Sequence, residues 1–110
     1  MITVVIHSSR SDGRLVSCSA IGHSMYAENG SDIVCAAVSV LMTNCVNSLE
    51  TVCGVLPEMG EFCDGRMSFS LPEGLTQAQQ HDCQILMKSL QQGIRDVVQM
   101  YPENVRLSMK

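Results

Sequence analysis

The sequence predicts an α+β domain in the order ββαββαβ, a mainly antiparallel sheet carrying two helices. Two pairs of alternating segments are each interrupted by an Asp-Gly dipeptide, at Asp12-Gly13 and at Asp64-Gly65, the signature of a hairpin turn. Two further segments repeat apolar residues at helical spacing, one from Ile33 and one after Thr76. A last alternating run, "NVRLSM", follows Pro102 and can close the sheet. The 110 residues are enough for one domain, 1–110, with a single core. There is no linker or low-complexity segment, and the two ββα halves show no convincing sequence repeat.

Residues 2 to 8 alternate, with Ile2, Val4 and Ile6 on one face and Thr3, Val5 and His7 on the other. "SRSDGR" turns the chain, and residues 15 to 22 form the partner strand, with Val16, Cys18 and Ala20 on one side. A polar connection then runs to Ser31 or Asp32. Either side chain can cap a helix, because its oxygen accepts from the free amides of the first turn. From Ile33 to about Cys53 the stripe Val34, Val38, Leu41, Cys45, Leu49 and Val52 is widened almost all round by Ile33, Ala36, Ala37 and Val40. Such a helix is expected to be covered by its sheet and by a second subunit. Gly54 ends it. Residues 59 to 71, "MGEFCDGRMSFSL", form the second hairpin, with Met67, Phe69 and Leu71 facing one way. Thr76 or a neighbour opens the second helix. Its core stripe is Leu86, Leu90, Ile94, Val97 and Tyr101, and Pro102 stops it.

Composition narrows the function. The formal net charge is −4 and no Lys or Arg adjoins another, which disfavours nucleic acid as a direct ligand. A basic partner protein suits this charge better. The opening "MITVVIHSS" lacks the features of a secretory signal, and the longest mainly apolar run, "IVCAAVSVLM", is short for a bilayer. A cytoplasmic protein without a membrane segment is expected. Cysteines stand at 18, 35, 45, 53, 63 and 83, and in a reducing compartment they are expected to be thiols. No C-x-x-C pair or zinc-finger spacing occurs, so neither a metal nor a cofactor is expected.

Cys35 is the cysteine whose position stands out. It falls near the start of the first helix, where free amides and the positive end of the helix dipole favour a thiolate. It lies at the flank of the apolar stripe, whereas Cys18, Cys45, Cys53, Cys63 and Cys83 read as core or near-core filling. His7 and His81 read as surface residues. His23 follows Gly22 at a strand end, and a short connection leads from there to Cys35, so its imidazole can reach the thiol. Such a pair is the minimum apparatus for covalent acyl transfer: the base removes the thiol proton and later protonates the leaving amine. The plainer reading is a strand–loop–helix junction in which Cys35 is packing. Asp32 is a helix cap, an orienter of His23 or a contact for substrate backbone. Ser39, one turn beyond Cys35, either hydrogen-bonds the thiol or bonds back to a helix carbonyl. Gly22 and Gly30 bracket the connection and would let it move as a lid. A third function, a redox-sensing thiol at Cys35, lacks an obvious resolving cysteine nearby in sequence.

Gly22-His23, a short loop and then "SDIVCAAVS" resemble the ribosomal-processing cysteine protease (Prp) family of bacteria. The opening "MITV" and closing "YPENVRLSMK" resemble it too, so the likeness covers essentially the whole chain. The resemblance implies that His23 and Cys35 form a catalytic dyad, with Gly22, Asp32 and Ser39 beside it. It implies a homodimer that trims a short N-terminal extension from a large-subunit ribosomal protein. It also implies recognition of a short hydrophobic, aromatic-containing peptide, cut on its C-terminal side. Ser24 departs from the Ala usual after the Gly-His pair, and the loop "SMYAENGS" is this chain's own. That departure bears on the loop's substrate contacts more than on the dyad. An acidic enzyme suits a basic ribosomal substrate, and the amides of Cys35 and Ala36 are candidates for an oxyanion hole. The competing reading is a non-enzymatic ribosome-associated binding and assembly module whose loop holds a ribosomal protein.

Overall fold

The computed structural model describes residues 1–23, 27, 32–63 and 65–110. The elements follow in the expected order: β1 (Ile2–Ser8), β2 (Leu15–Ile21), α1 (Ile33–Thr51), β3 (Glu58–Cys63), β4 (Arg66–Ser70), α2 (Gln77–Met100) and β5 (Val105–Met109). They build one five-stranded sheet in the order β3-β4-β2-β1-β5. The hairpins supply antiparallel neighbours, whereas β5 arrives after the α2 crossover and pairs parallel to β1.

One face of the sheet is apolar because the strands pair in phase. Ile6 stands opposite Cys18 and Cys18 opposite Phe69; Val4 stands opposite Ala20 and Ala20 opposite Met67; Ile2 stands opposite Val105. Val34, Val38, Met42, Cys45 and Leu49 of α1 and Cys83, Met87, Leu90, Ile94 and Val97 of α2 complete this core. The other face presents His7 and the serine pairs Ser17–Ser70 and Ser19–Ser68. At the start of β2 a register shift buries Leu15 and leaves Val16, expected in the core set, half-buried. Gln84 of α2 pins this irregularity. Its Oε1 accepts from the Leu15 N–H at 2.8 Å, and its Nε2 donates to the Leu15 carbonyl at 2.8 Å.

The α1 stripe differs from the sequence pattern in two places. Met42 takes the buried position, while Leu41 turns toward α2, where its Cδ2 would lie 2.8 Å from a Cβ added at Gly93. Val52 is exposed because it sits at the C-cap, where the chain leaves the helix. Gly54, at φ 67°, then directs the turn, with its N–H on the Glu50 carbonyl at 3.0 Å. Ile33 and Val40 are exposed, so a single chain does not cover this helix all round. At 19 residues and mean hydropathy 1.5, α1 is long and apolar enough to cross a membrane, unlike the ten-residue run noted in the sequence. Its buried stripe packs into the core, with Met42 Sδ 3.4 Å from Cys18 Sγ of β2, while 28% of the apolar window is buried.

Thr76 caps α2 through a capping box with Gln79. Cys63 does not fill the core as expected. It is exposed, as is every residue of β3, because β3 forms the outer edge of the sheet. On that edge Met59 and Phe62 remain 47% and 38% exposed, although both pair with inward-facing residues, Phe69 and Met67.

Candidate active site

The site begins at the cap of α1. Asp32 is 7% exposed and extended at φ −80°, ψ 106°. Its Oδ1 accepts from the Val34 N–H at 2.9 Å and the Cys35 N–H at 3.0 Å, and its Oδ2 accepts from the Ala27 N–H at 3.2 Å. Its backbone carbonyl takes the Ala36 N–H at 3.1 Å. Of the three readings of Asp32, the cap is therefore visible in the geometry. The same bonds correct the expectation that the Cys35 and Ala36 amides stand open for an oxyanion. Both are already donated to Asp32, one to its side chain and one through the ordinary helical pattern. Ser31, the other candidate cap, lies outside the described residues, as do Ser24, Gly30 and Asp64.

Cys35 is the third residue of α1 and is half-buried. It lines a small cleft together with Val38 and Ser39 of α1, the β2 end at Ala20, Gly22 and His23, and Gly65 and Met67 at the start of β4. The cleft has a volume of about 30 Å³. Four of the five residues singled out in the sequence thus meet at one cavity, and the fifth, Asp32, caps the helix beneath it.

Two glycines fix the imidazole. Gly22 has φ 104°, and an added Cβ would collide with the Met1 carbonyl oxygen. Its N–H donates to the Gly65 carbonyl at 2.9 Å, and the Met1 nitrogen donates to the His23 carbonyl at 2.5 Å. Gly65 has φ 80°, and a Cβ there would stand 2.8 Å from His23 Nε2. The role of Gly22 is thus a close backbone approach, where the sequence suggested freedom to move. Gly65 was not nominated from sequence at all. Its only signal was the Asp-Gly turn, which says nothing of the element against which the turn will pack.

The thiols separate by environment. Burial pushes Cys18 and Cys45 up to about 12, and burial followed by the neighbouring Cys53 pushes Cys83 up to about 11. These three stay protonated at neutral pH and are poor nucleophiles. His7 and His81 are exposed, His81 lying 3.2 Å from Asp82, as expected of surface residues. A larger cleft, about 500 Å³, lies at the opposite end of β2 beside Arg14, Leu71, Gln80 and Gln84, but no cysteine or histidine lines it. Another cleft, about 380 Å³, is lined by both His7 and Cys18, but burial pushes that thiol up to about 12, so chemistry and not size selects the smaller cleft. Among the described residues no group of three or more His, Cys, Asp or Glu side chains is arranged to hold a metal ion.

The family model for cysteine protease Prp matches residues 1–106. The chain belongs to that family. It is 29% identical over 110 residues to the ribosomal processing cysteine protease Prp of Bacillus subtilis (strain 168), covering 98% of this chain and 96% of the other. It is 26% identical over 110 residues to the protein of the same name from Staphylococcus aureus (strain Mu50 / ATCC 700699), covering all of both chains. Its fold is similar to the crystal structure of an essential ribosomal processing protease Prp from S. aureus in complex with a covalently linked product peptide. There the TM-score is 0.86 and the identity 25%, over the full length of both chains. Family membership makes this chain a cysteine peptidase, and the ββαββαβ domain is the family's architecture.

Proposed function

We propose that this family member is an endopeptidase that removes a short N-terminal extension from a large-subunit ribosomal protein, with Cys35 as nucleophile and His23 as its base. The observation that carries the assignment is the convergence of Cys35, His23 and Ser39 on one small cleft from two different elements. Cys35 stands in the first turn of α1, at the positive end of the helix dipole. His23 takes the thiol proton, and the sulfur adds to the scissile carbonyl. Collapse of the tetrahedral species expels the amine, which takes its proton from the imidazolium. Water, deprotonated by His23, then releases the acyl group from Cys35. Asp32 holds the first turn in place, and the Ser39 hydroxyl supplies a hydrogen bond to the reacting centre.

The substrate assignment has physical support. A net charge of −4 favours encounter with a basic ribosomal protein. Met59 and Phe62 extend the apolar wall away from Met67, a rail suited to a hydrophobic, aromatic-containing peptide. The exposed face of α1, with Ile33, Ala36 and Val40 and no charged side chain among Ile33–Leu49, suits a homodimer contact. On this reading the enzyme acts in the cytoplasm, without direct contact to nucleic acid or membrane. The test mixes purified protein, and separately its Cys35→Ala variant, with the cognate ribosomal protein and reads intact masses. A single defined trim by the wild type alone is the expected result. Binding without cleavage would move the assignment to a non-enzymatic assembly module, and neither would overturn both.

A further inference from the structure

Two cavities meet at the end of β2 that lies away from His23, between the β1–β2 turn and the start of α2. One, of about 500 Å³, has an apolar wall of Val16, Leu71 and Leu75. The other, of about 380 Å³, is lined by Gln77, His81 and Lys88 of α2. Arg14, Gln80 and Gln84 line both, so the two make one trough with an apolar end and a cationic end. Its walls are tied together. Gln84 is locked on the Leu15 backbone by two bonds of 2.8 Å, and Gln80 gives its Nε2 to the Leu75 carbonyl at 3.3 Å. Arg14 stands where the cavities join. Its Nε is closed off from water and makes no hydrogen bond of good geometry, although Asp12 Oδ2 lies 2.7 Å away. A guanidinium carries five N–H donors in a planar fork, and among the described residues Asp12 is the one anion beside this one. Donor capacity is left over at the junction.

We propose that this trough is a second binding site, which takes the C-terminal carboxylate of an extended peptide whose last residue is apolar. Arg14 holds the carboxylate, since its fork matches two oxygens at once. Lys88 adds a second positive charge from α2, whereas His81 is already engaged by Asp82 at 3.2 Å. The last side chain drops into the larger cavity against Val16, Leu71 and Leu75. A chain terminus suits this arrangement because its carboxylate and its side chain leave the same carbon, so one residue fills both halves. Glu73 also lines the larger cavity and disfavours an acidic side chain there. The amide side chains of Gln77 and Gln80 can pair with peptide backbone, which a fatty acid lacks. β2 spans about 20 Å between this trough and His23, so the site is separate from the peptidase cleft.

The experiment titrates the full-length Cys35→Ala protein into a fluorescein-labelled Gly-Ser-Ala-Leu peptide with a free C-terminal carboxylate, and separately into its C-terminal amide, and reads fluorescence polarisation. The Cys35→Ala background keeps both probes intact. The acid is expected to bind at least about tenfold more tightly than the amide, the cost of losing a hydrogen-bonded charge. Arg14→Gln on the same background should weaken the acid by a similar factor, and Lys88→Gln, an exposed change, severalfold. Amide shifts in a two-dimensional NMR titration should centre on Arg14, Gly74 and Gln80. Equal binding of acid and amide, no binding at millimolar peptide, or shifts centred on Gly22 and Gly65 would each overturn the proposal. Laurate binding more tightly than the peptide would overturn it in favour of a fatty acid. Should Arg14→Gln fail to fold, the acid–amide comparison, Lys88→Gln and the shift map decide.

Discussion

Replacing Asp32 separates its role as a cap from a role as an orienter of His23. The carboxylate accepts from three backbone amides at 2.9–3.2 Å while almost fully buried, so Asp32→Ala removes the cap and leaves buried donors without a partner. Loss of a helix N-cap costs about 1 kcal/mol. Unsatisfied buried donors add about 1–3 kcal/mol. Together these destabilise the domain by about 2–4 kcal/mol, which for a chain of this size lowers Tm by about 9–17 °C. Asparagine caps about as well as aspartate, so Asp32→Asn keeps most of the stability, losing about 0.3–1 kcal/mol of charge–dipole attraction. If the cap is the whole role, Asp32→Asn also keeps kcat/KM within about threefold of wild type. The assay pairs thermal unfolding, followed by far-ultraviolet circular dichroism, with initial rates of peptide cleavage. An Asp32→Ala variant that melts with the wild type would refute the cap energetics. An Asp32→Asn variant with an unchanged melt but a hundredfold slower cleavage would refute the purely structural reading.

Four further outcomes follow from the same geometry. Gly65→Ala puts a Cβ 2.8 Å from His23 Nε2 at a left-handed φ of 80°. It is expected to cost about 1–2 kcal/mol in backbone strain and, by displacing the imidazole, to slow cleavage more than about tenfold; a rate within twofold of wild type would count against the placement of His23. Phe62→Ser removes apolar surface beside Met67 and should raise KM severalfold with little change in Tm, as read from a substrate titration. Val40 is 66% exposed, so Val40→Asp should leave the fold intact yet shift a homodimer toward monomer in analytical ultracentrifugation. Finally, Cys18 and Cys45 are raised from 9.0 to about 12 in the folded state. The unfolded chain releases these protons first, so the stability they carry is complete below about pH 9 and falls as pH rises from there toward about 12. Melts in that window should steepen this loss relative to a Cys18→Ala, Cys45→Ala variant, and identical slopes would contradict it.

Much of this protein was legible without coordinates because the informative signals are local. Alternation in residues 2 to 8, the Asp-Gly dipeptides, the 3.6-residue stripes and the helix start at Thr76 each act within a few residues, so they report the element order directly. Cys35 and His23 were legible for a similar reason: one stands at a helix start, the other at a strand end, and a short connection joins them. What the sequence could not settle depends on residues far apart in the chain that strand register and helix crossovers bring together. β5 lies parallel to β1 only because α2 carries the chain across the core. Cys63 reads as near-core, yet it is exposed because β3 ends up at the sheet edge. Gly65 meets His23 across a separation that no periodicity encodes. The Cys35 and Ala36 amides looked open for catalysis in the sequence. In the structure Asp32 takes both, the Cys35 amide on its buried carboxylate and the Ala36 amide on its backbone carbonyl.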